Sequence, residues 1–91
     1  MKPMFPLGQI LATPRALETL QQLRRSAQSF LIRHVLGDWG DLVEEDKKQN
    51  DLAVDMGGRI LSEYNLPDGS RLYMITEADR SATIILLADE Y

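Results

Sequence analysis

Arg59-Ile60-Leu61-Ser62-Glu63-Tyr64-Asn65-Leu66-Pro67-Asp68-Gly69-Ser70-Arg71-Leu72-Tyr73-Met74-Ile75-Thr76-Glu77 is the stretch that decides the fold. Ile60, Tyr64 and Leu66 share one parity, with Ser62 between them. Arg59, Glu63 and Asn65 take the other, interrupted by Leu61. Alternation with period two predicts a strand with one buried face. Pro67-Asp68-Gly69-Ser70 then reads as a turn. Pro presets the backbone at its start, Asp bonds its own backbone, and Gly accepts a positive φ. A second strand follows over Arg71–Glu77. A third runs from about Ala82 to Leu87, after the short polar loop Ala78-Asp79-Arg80-Ser81. Connections this short force antiparallel neighbours. Residues 82–87 are apolar on both parities, which places this strand in the middle of the sheet or beneath a helix.

Upstream, Thr13-Pro14 is a helix start, with Thr as N-cap and Pro at the first helical position. The first helix is expected over about Pro14–Arg24. A joint at Arg25-Ser26-Ala27 separates it from a second, capped by Ser26, running to about Leu36 and stopped by Gly37. Asp41-Leu42-Val43-Glu44 matches a capping box. It predicts a third helix from about Leu42 to Met56, ended by Gly57-Gly58. Pro3 and Pro6 keep the first residues out of a helix, and Gln9–Ala12 is a candidate extra edge strand.

The sum is one α+β domain over residues 1–91. Residues 1–12 form an extended arm, 14–56 three helices, and 59–91 a three-stranded antiparallel meander. The helices are expected on one sheet face, over Leu17, Leu20, Phe30, Leu31, Val35, Leu52, Ile60, Tyr64, Leu72, Met74, Ile85 and Leu87.

Composition removes several function classes. The chain has 91 residues and no cysteine, which excludes disulfides and cysteine-based zinc sites. No run reaches the ~18 apolar residues of a membrane span. The first residues lack the apolar core of a secretory signal, so a cytoplasmic location is expected. Net charge is −4, which argues against broad contact with nucleic acid phosphates. The basic residues are scattered, with small local clusters at Arg24-Arg25 and Lys47-Lys48. Acid is concentrated instead: Asp38, Asp41, Glu44, Glu45, Asp46, Asp51 and Asp55 are seven of the fourteen acidic residues.

No catalytic constellation emerges. His34 is the only imidazole and lies in an apolar helical run, where it reads as a packed or capping residue. Its place near a helix C-terminus favours the charged form. The acid-rich stretch lacks a calcium-loop pattern and reads as a solvated helix start, without a bound metal. Gly57-Gly58 lacks the surroundings of a phosphate loop, so no cofactor is expected. Glu77, Asp79 and Arg80 make a polar knot at the second hairpin, read as an internal acid–Arg pair. Trp39, in the turn Gly37-Asp38-Trp39-Gly40, either closes the core or faces a partner, and tryptophan is enriched in interface hot spots.

Several stretches resemble a family of small uncharacterised bacterial proteins known as plasmid-related proteins. They are Phe5-Pro6-Leu7-Gly8-Gln9-Ile10, Arg33-His34-Val35, Gly37-Asp38-Trp39-Gly40-Asp41-Leu42, Ile75-Thr76-Glu77-Ala78-Asp79-Arg80-Ser81, Leu86-Leu87 and Glu90-Tyr91. Such proteins are carried on plasmids and integrative elements. The resemblance implies a mobile-element setting and supplies no functional residues.

The expectation is a non-enzymatic accessory protein that binds another protein. Its surface is placed on Asp38, Trp39, Asp41, Asp46 and Asn50, with Glu77, Asp79 and Arg80 as a second patch. Rival readings are an anti-restriction protein whose acidic face mimics DNA, a small metal-dependent enzyme using Glu77, Asp79 and His34, and, more weakly, DNA binding through Arg24-Arg25. An edge strand of the meander pairing across a two-fold axis offers a route to a homodimer.

Overall fold

A computed structural model describes residues 2–91. The elements run β1 (Gln9–Ala12), α1 (Pro14–Gln22), α2 (Ala27–Val35), α3 (Glu44–Met56), β2 (Ile60–Asn65), β3 (Arg71–Thr76) and β4 (Ala82–Leu87), ending in a short 3-10 turn over Ala88–Glu90. The α+β class stands. The sheet, however, is not a three-stranded antiparallel meander. It has four strands in the order β1-β4-β3-β2 and is mixed, because β1 pairs parallel to β4. The arm supplies that strand: Gln9 donates its N–H to Ser81 O at 2.9 Å, and Thr13 donates to Ile85 O at 3.0 Å. A strand at the start of the chain reaches β4 only after α1, α2 and α3 have been laid down between them, a pairing invisible to local pattern. β4 thereby becomes an inner strand, as its two apolar parities require.

α1 and α2 start at Thr13 and Ser26 as expected, but Ser26 makes no side-chain cap bond. Thr13 Oγ1 accepts from Ala16 N–H at 3.1 Å. The chain turns between α1 and α2 at Arg24, φ +55, so α1 ends at Gln22 rather than Arg24. The third helix departs further. It begins at Glu44 with Val43 as a cap that makes no side-chain bond. Asp41 does not cap it, because Asp41 Oδ2 accepts instead from Asn65 N–H at 2.8 Å.

The sheet has one covered face. Ile60, Tyr64, Leu72, Met74, Ile85 and Leu87 point to the helices and are all buried, with Leu66 beside them. They pack with Ala16 and Leu20 of α1, Phe30 of α2 and Ala53 of α3 in two adjoining clusters. Leu17 and Leu52, expected in this core, are about half exposed. Ala16 and Leu20 carry the inner stripe of α1, and Asn50 and Ala53 that of α3.

The outer edge of β2 is closed group by group. Asn50 Nδ2 donates to Leu61 O at 2.7 Å, and its Oδ1 accepts from Leu61 N–H at 3.1 Å. Two residues on, Asp41 N–H donates to Glu63 O at 2.7 Å, and Glu63 N–H donates to Trp39 O at 3.2 Å. Asn65 N–H is taken by Asp41, as above. Buried or exposed, an open strand edge invites pairing with another chain, and here α3 and the 39–41 segment occupy it.

This closure needs glycine at position 40. Its φ is +78, and a Cβ there would press into Glu63 O and the Tyr64 ring. Replacing Gly40 by Ala combines left-handed strain with that overlap. The expected loss is more than about 2 kcal/mol in urea unfolding. An unchanged midpoint would mean that the 39–41 segment does not hold β2.

Candidate functional site

Asp38, Trp39, Asp41 and Asn50 do come together, at the closure of β2, with Trp39 and Asn50 buried and Asp38 and Asp41 exposed. Trp39 is only 4% exposed. Its ring stacks on Phe5 (centroids 6.1 Å) and meets His34 edge-on at 5.9 Å, and its Nε1–H donates to Asp51 Oδ1 at 2.9 Å. Asn50 is 5% exposed, and both ends of its amide are spent on Leu61. Asp38 is exposed but engaged. Its carboxylate holds Arg33 at 2.7 Å and the Gly40 N–H at 3.1 Å, and its carbonyl accepts from the Tyr64 hydroxyl at 2.7 Å. The Arg33 contact keeps the Asp38 carboxyl below its usual range. Burial pushes the Tyr64 hydroxyl up to about 12. Asp46, on the first turn of α3, remains exposed.

The second patch also dissolves into separate duties. Arg80 is not paired with Asp79 or with the Glu77 carboxylate. Its guanidinium donates to Gly58 O at 2.6 Å, Ala53 O at 2.8 Å and Glu77 O at 3.1 Å, and lies over the Phe5 ring at 5.6 Å. A cation is thus set at the C-terminal end of α3, where carbonyls face it. Asp79 caps its own turn through Ser81 N–H at 2.9 Å, and the Ser81 hydroxyl together with that N–H holds its carboxyl low. Glu77 reaches Arg59 at 3.8 Å.

His34 was read as packed, and it is completely buried. Around it stands a polar chain that the sequence reading did not assemble. His34 Nδ1 lies 2.6 Å from Ser62 Oγ, and Nε2 lies 2.9 Å from Thr76 Oγ1. Thr76 Oγ1 lies 2.7 Å from Thr83 Oγ1, which donates to Leu7 O at 2.8 Å. A carbonyl only accepts, so the direction of each bond follows as far as the ring. Thr83 gives its proton to Leu7, Thr76 gives to Thr83, and Nε2–H gives to Thr76. Burial disfavours a second proton on the ring, so the imidazole is neutral, with its proton on Nε2, and Nδ1 accepts from Ser62. The helix dipole was expected to favour the charged form, but burial outweighs it and lowers the pKa to about 4.

The Ser62–His34 pair has the sense of an activated nucleophile. Both residues are fully buried, and none of the four main surface hollows is lined by either. The arrangement holds strands and helix together and offers no route for a substrate. His34, Glu77 and Asp79 are not gathered into one site. Among the described residues, no three of His, Asp and Glu are placed to hold a metal ion. Nor is any described helix long and apolar enough to cross a membrane. The signal for the buried chain was Ser62, a polar residue on an otherwise apolar parity.

The sheet face turned away from the helices carries what the charges do not. Cross-strand register sets Leu61 beside Ile75, Ile75 beside Ile84, and Ile84 beside Leu11. An aliphatic row thus crosses all four strands. Neither helix-packed cluster includes any residue of this row. Ile75 is buried, Leu61 and Ile84 are half-buried, and Leu11 is 43% exposed. The next row sets Tyr73 beside Leu86. Tyr91 meets Tyr73 edge-on at 5.8 Å and accepts from Arg59 at 3.0 Å. The charges on this side are mutually paired, Arg71 with Glu63 at 3.2 Å and Arg59 with Glu77.

Comparison with known proteins finds no matching family model, no matching curated protein and no matching solved structure.

Two outcomes follow. Trp39→Ala empties a buried aromatic site and is expected to cost about 3–5 kcal/mol, read as a large fall in melting temperature. A partner-facing tryptophan would leave that temperature nearly unchanged. Second, the folded pKa of His34 lies below its ordinary 6.5, so the unfolded chain binds the proton more readily. Stability is complete above pH 6.5, falls as pH drops below it, and stops falling on this account near pH 4. The total is about 3 kcal/mol, from ~1.4 kcal/mol per unit. His34→Gln should flatten that slope in pH-dependent urea unfolding. An unchanged slope in this single-histidine chain would refute the assignment.

Proposed function

We propose that the protein is a non-enzymatic protein–protein interaction module, serving as an accessory protein of a bacterial mobile element. The setting rests on the resemblance quoted above. The mode of action rests on one observation: an aliphatic row that spans four strands on the sheet face without helices. Antiparallel sheets with one covered face ordinarily turn polar residues outward on the other. Leu61, Ile75, Ile84 and Leu11 break that rule in one row, Ile75 buried, Leu61 and Ile84 half-buried and Leu11 exposed, with Tyr73 and Tyr91 alongside. An apolar row that stays partly open to solvent supports a contact site.

The partner that fits is a protein presenting an apolar strand or helix face. The charges around the row neutralise one another, so the contact draws little from long-range attraction and is insensitive to salt. The same geometry weighs against the DNA-mimic reading. Of the seven acids between Asp38 and Asp55, Asp38, Asp41, Glu44 and Asp51 are each bound to a group of the protein itself. A phosphate-like array needs its carboxylates free.

The test is capture from host lysate with tagged protein, with and without nuclease and at low and high salt. A stoichiometric protein that survives both treatments is expected. Capture should fall at least tenfold with Leu61→Lys combined with Ile84→Lys, and persist with Asp46→Lys. Enrichment that disappears with nuclease, or that the row variant leaves intact, would sink this reading.

A further inference from the structure

The two edges of the sheet differ. The β2 edge is occupied at Leu61, Glu63 and Asn65, whereas the β1 edge is open. Gln9 and Thr13 donate toward β4, and Gln9 pairs in register with Ala82. In a parallel ladder, alternate residues face the partner. Gln9 and Leu11 therefore turn their N–H and C=O groups toward β4, while Ile10 and Ala12 turn theirs outward. No hydrogen bond within the described residues reaches the outward groups of Ile10 or Ala12. The Ile10 side chain is 49% exposed and that of Leu11 43%.

We infer that this edge pairs with the β1 edge of a second copy, antiparallel, about a two-fold axis at Leu11. The register is set by the molecule. The open edge is bounded by Gly8, which turns at φ +64, and by Pro14, which has no N–H and starts α1. Both lie three residues from Leu11. A two-fold axis there sets Gly8 against Pro14 of the other copy, so both strands end where their partner ends. Ile10 then lies opposite Ala12 of the second copy, twice over. In each pair the N–H of one residue donates to the C=O of the other. All outward groups of both strands are satisfied, and none is left over.

Charge favours the same occupant. Residues 3–14 contain no charged side chain in a chain of net charge −4. Two copies meeting along this stretch bring no like charges together, which their acidic helices would do elsewhere. The pairing also joins the aliphatic rows. Leu11 stands at the end of the row Leu61–Ile75–Ile84–Leu11, and the axis sets it against Leu11 of the second copy. The row then runs unbroken across an eight-stranded sheet. This inference rests on the open backbone edge and not on what binds the face, so each can fail without the other.

The test uses purified protein alone, and the lack of cysteine makes the register directly readable. Sedimentation at tens to hundreds of micromolar should show a species of twice the 10.3 kDa chain mass. Leu11→Cys places two thiols in a pair with Cα atoms about 4.5 Å apart, within disulfide range. It should oxidise to a covalent dimer. Gln9→Cys faces Thr13 of the other copy, leaving its two thiols about 13 Å apart along the strands, and should not cross-link. Ile10→Pro removes an outward donor that the protein's own sheet does not use, and should yield a folded monomer. A monomer throughout the range, equal cross-linking at both positions, or a dimer that survives Ile10→Pro would each overturn the inference.

Discussion

The structure depends on a single line of hydrogen bonds that begins at a backbone carbonyl. Leu7 O can only accept, so Thr83, Thr76 and His34 Nε2 orient in one sense behind it, and burial, by keeping the ring neutral, adds Ser62 to the line. The line joins the N-terminal arm to β4, β3, α2 and β2 in turn. Its four side chains are fully buried, so breaking the line at any of them strands a donor or acceptor at a cost of about 1–3 kcal/mol. Among the described residues, no buried side-chain polar atom lacks a partner. An apolar core of the same volume would tolerate sliding between α2 and the sheet. A directional line does not, because each bond has one geometry.

The aromatic residues follow from that line. With His34 held edge-on, Phe5 and Trp39 pack around the ring, Phe5 at 5.2 Å and 88°. Trp39 is carried inward by the same turn that brings Gly40 and Asp41 against Glu63. Arg80 then covers Phe5 from the far side while holding the end of α3. The residues that look most like binding groups in the sequence, an aromatic in a turn, an arginine in a hairpin and an amide on a helix, are drawn inward by one constraint.

This explains what was legible in the sequence. The β2–β3–β4 hairpins, the Thr13 and Ser26 helix starts and the Gly37 and Gly57 stops were readable, since each is decided within a few residues. The β1–β4 pairing was not, because its partners lie some seventy positions apart and β1 has only four residues. The engagement of the expected surface residues within the fold was illegible for a related reason. Asp41 forms a plausible capping box with Glu44, but a strand edge two elements away claims its carboxylate. Asn50 reads as a polar helix residue until Leu61 is placed beside it. Only Asp46, Glu77 and Asp79 keep their carboxylates outside the closure of β2. Ser62, on an apolar parity, was the visible trace of the buried line, and its partners Thr76 and Thr83 lie at strand ends where threonine is ordinary.

The two edges of the sheet are built unequally. Closing β2 uses an amide from α3, two backbone groups and a carboxylate, and it requires a left-handed glycine. None of this is needed for the hydrophobic core, so it acts against pairing at that edge. β1 receives no such treatment. It has no charge, no bulge and no covering helix, and proline appears only where the strand has already ended. A sheet protected on one side and left bare on the other is directional. Its bare side exposes Ile10 and Leu11 beside unpaired backbone, and Leu11 continues into the aliphatic row. Edge and row meet at a single residue, Leu11, which is at once the centre of the open edge and the end of the apolar row.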